Sequence, residues 1–116
     1  MTNRKFIYIA SPYSKGDIMD NVDIQIDTAN MLLDAGHIPY TPLLNHFLAR
    51  KVSRPNEFWI DTDLEVIRRC KFDGMLRLPG DSIGADKETA VAIALGVPVY
   101  HIRHSLKQTI EHFNKP

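Results

Sequence analysis

Apolar positions along the chain follow two rhythms in alternation, one of short continuous runs and one of helical recurrence. Phe6, Ile7, Tyr8 and Ile9 form a compact run that ends at a Ser11-Pro12 turn, the pattern of a buried parallel strand. From Asp17 onward, Ile18, Val22, Ile26, Ala29 and Leu33 recur at helical spacing, and Gly36 stands where a left-handed cap ends such a helix. A second short strand fits residues 37–41. The segment 43–54, LLNHFLARKVSR, reads as a long connection with one or two helical turns and is a lid candidate. Pro55 suits a first helical turn, and Ile60, Leu64 and Ile67 then form one stripe of a helix running to about Cys70. The run GMLRLPG is a third strand closed by Pro79-Gly80. A further helix carries Ala85, Val91, Ala92 and Leu95 before Gly96, and VPVYHI is a fourth strand. Ser105 is placed to cap a last helix with Leu106, Ile110 and Phe113 on its core side. Strands alternating with helices predict one doubly wound α/β domain over residues 1–116, with a mainly parallel sheet of the flavodoxin or Rossmann type.

Composition narrows the partners. With 116 residues, 44% hydrophobic and 24% charged, the chain supports one core of ordinary globular balance. Fourteen basic residues cancel fourteen acidic ones, so no general attraction to a nucleic-acid polymer exists, while a small phosphate pocket stays possible. The expected partner is a small molecule. Cys70, the single cysteine, can form neither an intrachain disulfide nor a multi-cysteine metal site, and is expected as a small core residue. The five histidines show no metal-ligand spacing: His101 falls on a strand, and His104 and His112 in a late region. No metal or other cofactor is expected. The run Phe6 to Ala10 is too short for a signal peptide, and no stretch approaches the roughly 20 apolar residues of a membrane span. A cytoplasmic protein is the expectation.

In an open parallel sheet, ligands bind beyond the carboxyl ends of the strands, so the loops after Ala10, Thr41 and Leu78 should converge. The first supplies Ser11, Tyr13, Ser14 and Lys15; the second Asn45 and His46; the third Asp81 and Ser82 with Gly80 and Gly84. Any one of these loops is also explained by turn building alone. The sharpest signal is Glu88, which lies three residues after Ala85 and four before Ala92, on the apolar stripe of its helix. A carboxylate on a core-facing side needs a hydrogen-bonding partner or a use for its perturbed ionisation. Ser82, Gly84 and the first amides of the same helix can hold an anion, or Ser82 can simply cap the helix. Asp61 and Asp63 occupy early turns of the preceding helix, where either can lean over the cleft or merely satisfy the helix dipole.

These segments, FIYIASPYS, WIDTDLEVIRRC, GMLRLPG and DSIGADKETAVAIALGVPV in this order, resemble the nucleoside 2-deoxyribosyltransferase superfamily, including its small phage and bacterial members. The resemblance runs from Lys5 to Tyr100 and is most specific from Ser82 to Glu88. It implies that Glu88 attacks the anomeric carbon of deoxyribose, that Tyr8 orients it, and that an Asp binds or protonates the leaving base. Asp63 is the closer match for that Asp, and Asp61 the alternate. Transferases acting on free nucleosides carry an Asp at the position here held by Ser82, six before Glu88, where it meets the sugar 5′-hydroxyl. The deoxynucleoside 5′-monophosphate N-glycosidases carry a Ser there for the 5′-phosphate. A carboxylate repels a phosphate, whereas a hydroxyl beside a helix N-terminus binds it. The resemblance therefore implies hydrolysis of a 2′-deoxynucleoside 5′-monophosphate to free base and deoxyribose 5-phosphate. Base exchange between deoxynucleosides is the enzymatic alternative, and a nucleotide-binding module without turnover the non-enzymatic one. Substrate contacts are expected from Ser11, Ser14, Lys15, His46, Asp61, Ser82 and Gly84, with a homo-oligomer in which subunits complete one another's sites.

Overall fold

The computed structural model describes residues 4–102 and 105–113, so His104 lies outside the described residues. Strand β1 (Phe6–Ala10) is followed by α1 (Ile18–Asp34) and β2 (Ile38–Tyr40). A 3₁₀ turn (Pro42–Asn45) runs into the short α2 (His46–Ala49), and then come α3 (Asn56–Arg69) and β3 (Gly74–Arg77). The chain continues through α4 (Ile83–Ala94), β4 (Val99–His101) and α5 (Leu106–Phe113). The four strands form one all-parallel sheet in the order β2-β1-β3-β4, the doubly wound arrangement that the alternation predicts.

Side chains of a strand alternate between faces, and the two cores divide β1 in that way. Ile7 and Ile9 face α1 and α5, where they join Leu32, Leu76, Ile110 and Phe113. Tyr8 and Ala10 face α3 and α4, against Ile67, Met75, Ala85 and Ala92. Gly36 and Gly96 both take positive φ, 90° and 79°. Each closes its helix with a paired motif in which His37 N–H reaches Leu32 and Val97 N–H reaches Ala92, satisfying end carbonyls. Asp17 and Ser105 cap α1 and α5 by accepting from Asp20 and Gln108 amides. Pro55 stands at the N-cap of α3, with Asn56 the first helical residue.

Three expectations about the core need correction. The buried face of α1 is Val22, Gln25, Thr28, Ala29 and Leu32; Leu33, expected inside, is 51% exposed. The stripe sits one position earlier because two polar residues belong to it: Gln25 and Thr28 hydrogen-bond to Ile9 and Ile24 carbonyls. Leu95, expected on the core side of α4, stands at its C-cap and is half exposed. Cys70, expected in the core, is exposed where the chain leaves α3. Among the described residues no helix is long and apolar enough to cross a membrane.

Candidate functional site

Strands β1 and β3 are parallel neighbours from which the crossovers lead to opposite edges of the sheet: β1 to β2, β3 to β4. Such a switch point opens a crevice at the strands' carboxyl ends. A cavity of about 450 Å³ lies there, within the usual range for small-molecule sites. Ser11, Ser14 and Lys15 after β1, His46 on α2, Asp63 on α3, and Ser82, Gly84 and Glu88 on or before α4 all line it. Thus the three loops converge as their positions predict.

Glu88 sits at the floor, 6% exposed, on the buried face of α4 with Ala85, Thr89 and Ala92. Tyr8, fully buried on the β1 face beneath, donates its hydroxyl hydrogen to Glu88 Oε2. Its ring is fixed by Tyr40 stacked at 5.5 Å and by Phe72 edge-on at 5.3 Å. Burial pushes the Glu88 carboxyl upward into the neutral range; the Tyr8 hydrogen bond opposes this, the Asp63 charge adds to it, and the Arg77 charge opposes it. Asp63 lines the same cavity beside Glu88, and burial raises its carboxyl as well. The Tyr8 hydroxyl is held well above its ordinary value by burial and by both carboxyls, so it stays a donor. Two close carboxyls in a dry place hold one proton between them, leaving one anion and one acid.

Of the two candidate aspartates only Asp63 reaches this centre. Asp61 is exposed and does not line the cavity, so the fold of this chain does not bring it to this centre. The reason is helical: two residues turn the side chain about 200° around α3. Tyr8 does not line the cavity either; it acts from below, through Glu88.

At the opposite end, Ser82 caps α4 by accepting from Ala85 N–H at 3.1 Å, and its own hydroxyl hydrogen remains able to donate. Capping and anion binding are therefore compatible. Lys15 and Asp81 approach to 3.8 Å across the exposed mouth, a weak pair. Gly80 has φ +115°, and a Cβ there would meet Pro12 Cγ at 2.9 Å, so the β1 and β3 loops pack against each other only because that position is glycine.

Tyr13, Gln25 and Trp59 lie outside the residues that the sequence singled out for contact with a substrate. Tyr13 and His46, from different loops, are joined at 2.6 Å between Tyr13 Oη and His46 Nδ1. Gln25 is 1% exposed and ties three elements: Nε2 donates to Ile9 O and Ser11 Oγ, and Oε1 accepts from Leu43 N–H. Because Ser11 Oγ accepts that bond, its hydroxyl hydrogen is left for another acceptor. Trp59, one turn before Asp63, lines the cavity; its Nε1 and Asp63 Oδ1 are both buried without a hydrogen-bond partner among the described residues. A lone Trp four residues before the Asp was the available signal. Among the described residues no group of three or more His, Cys, Asp or Glu is arranged to hold a metal.

Comparison with known proteins adds two likenesses. The family model described as a domain of unknown function, DUF7768, matches residues 5–102. The fold is similar to the solved structure of a 2-deoxyribosyltransferase from the psychrotolerant bacterium Bacillus psychrosaccharolyticus, at 24% identity and a TM-score of 0.56. That alignment covers 83% of this chain and 70% of the other. No curated protein matches the chain.

Proposed function

Since the chain belongs to the DUF7768 family, whose description carries no activity, we propose its function from the site: it cleaves the N-glycosidic bond of a 2′-deoxynucleoside 5′-monophosphate, giving free base and deoxyribose 5-phosphate. The observation that carries this reading is the Tyr8–Glu88–Asp63 cluster, two carboxyls of raised proton affinity side by side above a hydroxyl donor at the floor of a nucleotide-sized cavity. Its fold is shared with a protein described as a 2-deoxyribosyltransferase and as a biocatalyst for nucleoside synthesis, which agrees with glycosyl chemistry.

In this reading Glu88 attacks C1′ of the sugar as the C1′–N bond breaks and its electron pair leaves with the base. Asp63 takes over the proton that the pair shares and delivers it to that base. The transition state carries oxocarbenium character, which an adjacent carboxylate stabilises and then traps as a glycosyl ester. Tyr8 holds Glu88 in position through its hydroxyl and keeps the unattacking oxygen solvated. Asp63, now ionised, takes a proton from water as that water opens the ester, restoring both carboxyls. Trp59 and Asp63, on one face of α3, form the wall where the base sits. Ser82, the α4 N-terminus, Ser11, Ser14 and Lys15 receive the 5′-phosphate. The acidic neighbours there are each paired, Asp81 with Lys15 and Asp86 with Arg77, which lessens their repulsion of a phosphate.

Incubation with each deoxynucleoside and deoxynucleoside monophosphate, with and without an acceptor base, tests the proposal by chromatography of the products. Base release from monophosphates without acceptor is the expected result. Products formed only with an acceptor identify a transferase. A 2-fluoro-2-deoxyarabinosyl nucleotide should leave its sugar phosphate on the peptide containing Glu88, because fluorine slows turnover of the ester. Nucleotide binding with neither adduct nor base release overturns catalysis and leaves a binding module.

A further inference from the structure

Arg77 is an exception in its strand. Met75, Leu76 and Leu78 around it are buried and apolar, yet Arg77 is itself buried, its side chain only 9% exposed. Among the described residues it is the one buried Lys or Arg. Strand alternation puts it on the same face as Met75, and the register sets Arg77 beside Ala10 just as Met75 stands beside Tyr8. It therefore lies under α4 on the same side of the sheet as Glu88.

Its donors are committed to the segment that leads into α4. One terminal nitrogen donates to the Leu78 carbonyl. The other donates to Gly80 O at 2.8 Å and to Asp86 Oδ1 at 3.1 Å. The guanidinium thus pins both sides of the turn whose Gly80 abuts Pro12 and the first turn of the helix that carries Glu88. A planar fork is suited to this because it serves several acceptors in fixed directions.

Charge balance gives the clamp a second consequence. A Glu88–Asp63 pair holding one proton carries one buried negative charge, and Tyr8 beside it is neutral. Arg77 is the buried positive charge on the same face, and without it the pair is driven to take a second proton and lose its nucleophile.

We propose that Arg77 is a positioning residue of this site, which clamps the β3–α4 turn and supplies the counter-charge that keeps one carboxyl of the Glu88–Asp63 pair ionised. This rests on the glycosidic reading for its use in catalysis, but not for the charge effect itself. The titratable and charged groups that act on the Glu88 carboxyl are Tyr8 from β1, Asp63 from α3 and, more weakly, Arg77 from β3.

Carboxyl ¹³C NMR titration of Glu88, alongside the pH profile of base release, tests the proposal. Arg77→Gln should raise the Glu88 midpoint by about one pH unit and shift the acid limb of the profile with it. Arg77→Lys keeps the charge and should restore the midpoint, while the lost fork lowers kcat by about tenfold with a smaller change in KM. Asp86→Asn frees the Arg77 charge and should move the midpoint down. Where Arg77→Gln does not fold, Arg77→Lys and Asp86→Asn carry the test. A midpoint that ignores all the substitutions tested overturns the proposal. A wild-type chain that releases no base overturns the glycosidic reading instead, and the titration still decides whether Arg77 governs the Glu88 charge.

Discussion

At the scale of single residues, Glu88 and Ser82 divide the site into a reacting end and an anchoring end. Replacing Glu88 by Gln keeps the shape and the hydrogen bond from Tyr8 but removes the nucleophile. Base release should fall by about three orders of magnitude or more, with the denaturation midpoint no lower than that of the wild type at neutral pH. Retained turnover in a folded Gln variant would dismiss Glu88 as the attacking group. Ser82→Asp makes a sharper probe of the other end, since Asp caps a helix as well as Ser does and stability should hold. Its negative charge should reduce kcat/KM for a monophosphate by about tenfold or more while the matched free nucleoside is much less affected. Equal losses on both substrates would reduce Ser82 to a cap. Trp59, which the apolar pattern gave no reason to separate from its neighbours, is distinguished by a buried indole N–H in the wall beside Asp63 that has no partner among the described residues.

At the scale of elements, the site depends on how α1, the 43–54 segment and α4 are held to the ends of β1 and β3. Gln25 is the tie for the first two. Its buried side chain satisfies the Ile9 carbonyl, the Ser11 hydroxyl and the Leu43 amide. Gln25→Met keeps the volume and strands those groups, which should cost about 2–4 kcal/mol in urea unfolding. The 3₁₀ turn at Pro42–Asn45 should loosen with it, so limited proteolysis within the exposed stretch at residues 50–54 should speed up. Unchanged cleavage would show that the lid is held by the Tyr13–His46 bond instead.

At the scale of the whole molecule, the buried carboxyls tie stability to pH. Glu88 goes from an ordinary 4.5 to about 8 on folding, and Asp63 from 3.8 to about 7. The folded chain therefore keeps protons that the unfolded chain has released. Stability from this source is complete below the unfolded values and is lost as pH rises through the folded ones. The wild type should lose stability between about pH 4.5 and 8. In Glu88→Gln that slope should flatten, leaving the variant more stable than the wild type at pH 8.5 by ~2 kcal/mol. Urea titrations at pH 5, 7 and 8.5 check this, and parallel slopes in the two proteins would deny Glu88 its raised proton affinity in the fold. An inactive variant that is the more stable one is what a site built against its own burial preference predicts.

The order of strands and helices, the helix caps at Gly36, Gly96 and Ser105, and the misplaced carboxylate Glu88 were all legible in the sequence. Each is a local property: periodicity, the conformational freedom of one glycine, or a charge at an apolar position. The three loops could be brought together on the strand-end rule alone. What the chain could not show by spacing was which polar residues the core would accept. Gln25, Thr28 and Arg77 are buried because partners far along the chain, or across a turn, satisfy their hydrogen bonds, and hydrophobic counting has no means to register that. For the same reason Leu33 moved outward, whereas Leu95 and Cys70 are exposed because they stand at the C-caps of α4 and α3. The choice between Asp61 and Asp63 was likewise decided by the rotation of α3 against α4, a packing outcome that places one carboxyl against Glu88 and turns the other to water.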